Sequence, residues 1–134
     1  MNFRRCLLGA PLLAGITVFG VQARAFELNG VWASNATLCD KMFSKTGKKV
    51  SFVPMSDLYG SGFIIEGNRI RGKAASCTIK SRKEDGSTVR LSASCSTNVA
   101  VEVMEFNLKI IDDDTVSRAY PGIELQVDFY RCPL

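Results

Sequence analysis

Ser76-Cys77-Thr78-Ile79-Lys80-Ser81-Arg82, then Lys83-Glu84-Asp85-Gly86, then Ser87-Thr88-Val89-Arg90-Leu91-Ser92-Ala93-Ser94-Cys95, is the stretch that decides the fold. Two runs alternate between apolar or small residues and polar ones, the period of a strand with one buried face. Asp85-Gly86 between them is a tight-turn dipeptide. Cys77 and Ile79 fall on one face with Leu91, Ala93 and Cys95. The other face carries Thr78, Lys80, Arg82, Arg90, Ser92 and Ser94. A register that sets Ile79 opposite Ala93 also sets Cys77 opposite Cys95. Directly opposed strand positions bring their Cβ atoms within reach of a disulfide. The spacing therefore predicts a core-facing Cys77–Cys95 staple.

The same grammar runs outward in both directions. Ser61–Ile65 and Ile70–Lys73 flank Glu66-Gly67-Asn68-Arg69, a second hairpin signal. Upstream, Leu28–Ala33 reads as a first strand, and Ala36–Ser44 as one short helical excursion. Thr46-Gly47-Lys48-Lys49 is a turn before the short run Val50–Val53, which Pro54 ends. Downstream, Phe106, Leu108 and Ile110 alternate with Glu105, Asn107 and Lys109, and Asp112-Asp113-Asp114 turns the chain. Val116, Arg118 and Tyr120 return, and Pro121-Gly122 turns again. Ile123, Leu125, Val127 and Phe129 then alternate with Glu124, Gln126, Asp128 and Tyr130. Continuing that parity puts Arg131 on the apolar side and Cys132 on the polar side.

The fold class is mainly β: an antiparallel meander of about eight short strands with one short helix after the first. Closure into a small barrel, complete or partial, removes exposed edges. An open sheet or small sandwich has the same periodicity.

The chain of 134 residues opens with a basic start, Met1-Asn2-Phe3-Arg4-Arg5. An apolar run from Cys6 to Val21 follows, softened by Pro11 and three glycines, and closes on Ala23-Arg24-Ala25. Basic end, apolar middle and small-x-small exit are the parts of a secretory signal. Residues 1–25 read as a cleaved signal peptide and 26–134 as a single disulfide-bonded β domain, periplasmic or secreted, with no transmembrane segment in the mature chain. Cleavage would remove Arg4, Arg5 and Arg24, so the 17 Lys+Arg become 14 against 13 Asp+Glu. That near-neutral balance gives no ground for nucleic-acid binding. Four cysteines remain, an even count that reads as two disulfides in an exported chain. With Cys77 and Cys95 paired, Cys39 and Cys132 are left for each other. That bridge would clip the helical excursion to the outside of the sheet.

Gly30-Val31-Trp32 in the first strand, with Arg131 late in the last, resembles the lipocalin and wider calycin pattern. The resemblance implies that Trp32 closes a barrel floor and Arg131 stacks across it, a contact of about 0.5–2 kcal/mol. In size and opening the chain also resembles small periplasmic barrels of bacteria. These include metalloprotease inhibitors of the alkaline-protease-inhibitor type, which enter the protease cleft with a free N-terminal segment. Here only Phe26-Glu27 would precede the first strand. Exported proteins of alphaproteobacteria with no assigned activity share the resemblance.

The sequence points to no catalytic site. It has no His, the commonest general base and metal ligand. Gly60-Ser61-Gly62 lacks the frame of a nucleophile elbow or a phosphate loop and reads as a strand entry. Asp112-Asp113-Asp114 lacks the spaced ligands of a calcium loop and reads as a solvated turn. Asn35-Ala36-Thr37 matches a glycosylation acceptor that a bacterial-type exported protein leaves unused. No cofactor and no metal are implied. The candidate anion-binding residues are Arg69, Arg71 and Lys73 on one hairpin and Lys80, Arg82, Lys83 and Arg90 on the next. On one outer face they would meet a periplasmic protein or an anionic surface; as ordinary strand-edge charges they would only keep the sheet soluble. The leading expectation is a non-catalytic binding module of that kind, an inhibitor being one form. The alternative is a lipocalin-like carrier of a small apolar ligand.

Overall fold

The computed structural model describes residues 15–20 and 24–134. The basic start, Cys6, Pro11 and Ala23 of the expected export signal lie outside the described residues. No helix among the described residues is long and apolar enough to cross a membrane.

Eight antiparallel strands close into a barrel. They are β1 (Gly30–Ala33), β4 (Gly62–Glu66), β5 (Arg69–Arg71), β6 (Ser76–Asp85), β7 (Thr88–Ser96), β8 (Val101–Asp112), β9 (Thr115–Ala119) and β10 (Gln126–Arg131). The order around the wall is β1-β10-β9-β8-β7-β6-β5-β4, and β1 pairs with both β10 and β4 to close the ring. Outside the wall lie a 3₁₀ turn (Ala36–Leu38), the helix α1 (Cys39–Met42) and a hairpin of β2 (Phe43–Thr46) and β3 (Lys49–Phe52).

The meander follows from the alternation, and closing the ring pairs the edges it would otherwise expose. Inward positions are apolar: Trp32, Phe63, Ile65, Ile70, Leu91, Phe106, Leu108, Val116 and Phe129 form one buried cluster with Cys77 and Cys95. A second, smaller core forms where β1 and β4 turn apolar residues outward. Val31, Ala33 and Ile64 are covered there by Met42, Phe43 and Val50. Gly62 permits the close approach, since a Cβ at that position would stand 2.7 Å from the Trp32 carbonyl and 2.8 Å from the Phe43 ring.

Both disulfides pair as expected, Cys77 with Cys95 from the alternation and Cys39 with Cys132 by elimination. Cys77 stands directly opposite Cys95 in the β6–β7 ladder. Cys132 faces outward beside β1, its N–H donating to the Val31 carbonyl at 2.7 Å, and the bridge anchors α1 over the seam where first and last strands meet. Two disulfides belong to a chain that matures in an oxidising environment.

Several local expectations are corrected. The helical excursion ends at Met42, because Phe43 starts β2 and buries its ring against the barrel. The last strand begins at Gln126, not Ile123. β9 reaches only to Ala119, so residues before Gln126 have no partner strand, and Ile123 and Leu125 are exposed. The β6–β7 ladder shifts between Ile79 and Ser81, a bulge at Lys80, and its turn is Gly86-Ser87. Beyond the bulge the facing of β6 is inverted. Arg82 stands opposite inward Leu91, not on the outer face with Arg90.

Candidate functional site

The two ends of the barrel differ in how they are closed. At the floor, Trp32 is fully buried and its Nε1 donates to the Leu28 carbonyl at 3.0 Å. The Arg131 guanidinium lies over the indole, 4.3 Å from the ring centroid. Its nitrogens donate to the carbonyls of Asn29 (2.7 Å), Glu27 (2.8 Å) and Asp113 (3.0 Å). One side chain thus joins the β8–β9 turn to the segment before β1. Phe26 packs on Trp32 at 6.5 Å between centroids, and its carbonyl accepts from Arg82 at 2.7 Å. Two clefts of about 530 and 400 Å³ flank residues 24–29 at this end, and both are open gaps beside one extended segment.

The seven basic residues do not assemble into one patch. Arg71 donates to the Val50 carbonyl at 2.9 Å and pairs with Glu66 at 3.0 Å. Lys73 donates to the Val53 carbonyl at 3.1 Å. Both side chains hold the outer β2–β3 hairpin against the wall. Arg69 reaches the Ser76 hydroxyl. Arg82 binds Phe26 and pairs with Glu84 at the floor. Lys80, Lys83 and Arg90 remain on the outside, with Lys83 directly opposite Arg90 in the ladder.

The other end, the mouth, is open. β6, β7 and β8 rise as a tall wall while β9 stops at Ala119 and β10 begins at Gln126. Between them lies a cavity of about 140 Å³, lined by Phe63, Ile70, Cys77, Met104, Phe106 and Phe129 with Arg118 and Tyr120. Arg118 occupies an inward position of β9, opposite Leu108 on β8 and Val127 on β10. Its guanidinium carbon lies over the Phe106 ring at 4.3 Å and over the Tyr120 ring at 4.5 Å. It belongs to none of the ion pairs among the described residues, and its buried Nε has no hydrogen-bond partner. Burial lowers the Arg118 pKa from its ordinary value, and Tyr120 partly opposes this. A guanidinium stays charged in a protein regardless.

The geometry has a chemical consequence. Guanidinium donors all lie in one plane. The Arg118 carbon lies over two rings and its Nε has no partner, so the donors it offers a ligand lie in that plane. A planar, two-oxygen anion matches such a fork. The surrounding Phe63, Ile70 and Phe129 suit an apolar body attached to the anion. Glu102, opposite Cys95 on the same inner face, stands exposed at the rim. The volume corresponds to roughly five water molecules and is well below the usual pocket range. Arg118 was missed as a site residue although the alternation Val116, Arg118, Tyr120 carried the signal: a charged residue at an inward position of a closing barrel.

Among the described residues no group of three or more His, Cys, Asp or Glu side chains could hold a metal ion. No family model, curated protein or solved structure matches the chain.

Proposed function

We propose that this chain is a non-catalytic binding module of the extracytoplasmic space, released by cleavage after Ala25, whose mouth takes a compact carboxylate carried on a small apolar body. The supporting observation is Arg118: a cation at an inward position of an apolar barrel, packed on two rings, with a buried Nε that nothing in the chain satisfies. Such a group is costly to keep without a partner, about 1–3 kcal/mol for an unsatisfied buried donor. A ligand that supplies the missing acceptor recovers that cost. The small cavity turns the carrier reading from a purely apolar cargo toward a small amphiphilic anion. The inhibitor reading has less support, because Phe26 and Glu27 are tied to the floor by Arg82 and Arg131 and are not a free trunk. An outer anionic surface retains only Arg69, Lys80, Lys83 and Arg90 of the seven as contacts.

Calorimetric titration with benzoate, against benzyl alcohol as its neutral counterpart, tests the reading. Benzoate is expected to bind, and Arg118→Met to weaken it about tenfold to a hundredfold, the worth of a charged hydrogen bond. Equal binding of the alcohol, or unchanged benzoate binding by Arg118→Met, would sink the proposal.

A further inference from the structure

The tall wall that forms the mouth also leaves a strand edge open. β8 pairs with β7 along Val101–Lys109, but β9 pairs with β8 only from Asn107 onward. Among the described residues no strand pairs with Val101–Phe106 on the β9 side. Ile110 donates to the Ser87 carbonyl, so even-numbered residues of β8 hydrogen-bond toward β7. By alternation the backbone groups of Val101, Val103 and Glu105 point off the open edge. The same residues turn their side chains outward, and Val101 is 72% and Val103 73% exposed. Natural sheets blunt such edges with proline, inward charge, a bulge or a covering loop. Val101–Glu105 contains no proline, its β7 register is unbroken, and its one inward charge, Glu102, stands exposed at the rim.

We propose that this edge pairs antiparallel with the same edge of a second copy, about a two-fold axis at Val103. The register follows from the residues themselves. With Val103 opposite its own copy, Val101 faces Glu105 and Glu102 faces Met104, and no like charges meet. Val101, Val103 and Glu105 all find partners for their N–H and C=O groups. Moving the two-fold axis by one residue, onto Glu102, places Glu102 against Glu102. Centring the pair on Glu105 sets two Glu105 carboxylates opposite each other and demands backbone groups of Asn107 that β9 already uses. Only the Val103-centred register has three hydrogen-bonding positions on each copy and no direct repulsion. It joins Val101 and Val103 of both copies into one apolar stripe across the seam. A self-complementary patch on a two-fold axis is the usual geometry of a homodimer.

Light scattering on the purified, oxidised protein tests this across roughly a hundredfold range of concentration. The mass is expected to rise from one chain to two. Val103→Lys should hold it at one chain throughout. Val103→Pro should do the same while keeping the fold, because the lost N–H faces the open edge, where proline is tolerated. Circular dichroism and intact disulfides verify folding of both variants. Hydrogen exchange at the Val101, Val103 and Glu105 amides should slow at least about tenfold in the dimer. A one-chain mass at every concentration overturns the proposal, and would be the result if the edge serves a foreign strand. A dimer that survives Val103→Lys, or that protects other amides, overturns it too. None of these readouts depends on benzoate binding.

Discussion

Replacing Arg131 by lysine keeps the charge and removes the fork, and the structure allows the cost to be worked through. The guanidinium donates to the carbonyls of Asn29, Glu27 and Asp113 and lies 4.3 Å above the Trp32 ring. It also sits 3.3 Å from an Asp114 carboxylate oxygen, but that side chain is 76% exposed and the pair adds little. A lysine ammonium, a point donor on a flexible stem, can satisfy one or two of the carbonyls and stacks less well. Hydrogen bonds to charged groups contribute about 1.5–3 kcal/mol each. The released carbonyls lie at the exposed floor and regain water, so the full sum is not lost. We expect Arg131→Lys to cost about 2 kcal/mol and Arg131→Met about 3–4 kcal/mol. The lysine variant should melt roughly 10 °C lower. Urea unfolding followed by Trp32 emission measures this directly, because the chain's single tryptophan lies under the guanidinium. Arg90→Met, on the outer face, is the control and should change stability by less than about 0.5 kcal/mol. A loss below that figure for Arg131→Met, with unchanged Trp32 emission, would refute the floor-closing role of Arg131.

Three further expectations concern stability. The Cys39–Cys132 bridge spans 93 residues, so its removal as a double alanine variant should cost about 4–5 kcal/mol by loop entropy in oxidising urea titrations; a loss under about 2 kcal/mol would mean the clip adds little. Gly62→Ala drives a methyl into the Trp32 carbonyl and the Phe43 ring, and about 1–3 kcal/mol of destabilisation should appear in the same assay. Lys83→Glu exchanges a like-charge pair with Arg90 for an opposite one. It should stabilise by about 0.2–1 kcal/mol at low salt, with the gain fading as salt is added; a gain independent of salt would rule out the electrostatic cause.

The hairpin around Asp85-Gly86 shows where sequence reading succeeds and where it stops. From Cys77 to Ile79 the alternation is regular, and the register that opposes Ile79 to Ala93 carries the cysteines with it. One extra residue at Lys80 then inverts the facing of Arg82. A bulge leaves the local composition unchanged, so no periodicity reports it. The basic patch dissolved for that reason and for a second one. Arg71 and Lys73 found carbonyl acceptors on β3 and just beyond it, a hairpin far from them along the chain. Ile123 and Leu125 alternate as well as any strand in the chain, yet alternation cannot show whether a neighbouring strand is long enough to pair with them. Val101 and Val103 present the converse case, a paired strand whose outward residues are apolar and so break the expected pattern.

The sequence by itself determined the β meander and the Cys77–Cys95 pairing, because both depend on the period-two geometry of neighbouring residues, and the even cysteine count then left Cys39 for Cys132. Closure of the ring, the three carbonyls gathered by Arg131, the open mouth with Arg118 inside and the bare edge of β8 were decided only in the tertiary structure. They depend on relative strand lengths and on which distant groups arrive at the same end of the barrel. Those are long-range quantities, set when the whole wall packs, and no local pattern encodes them.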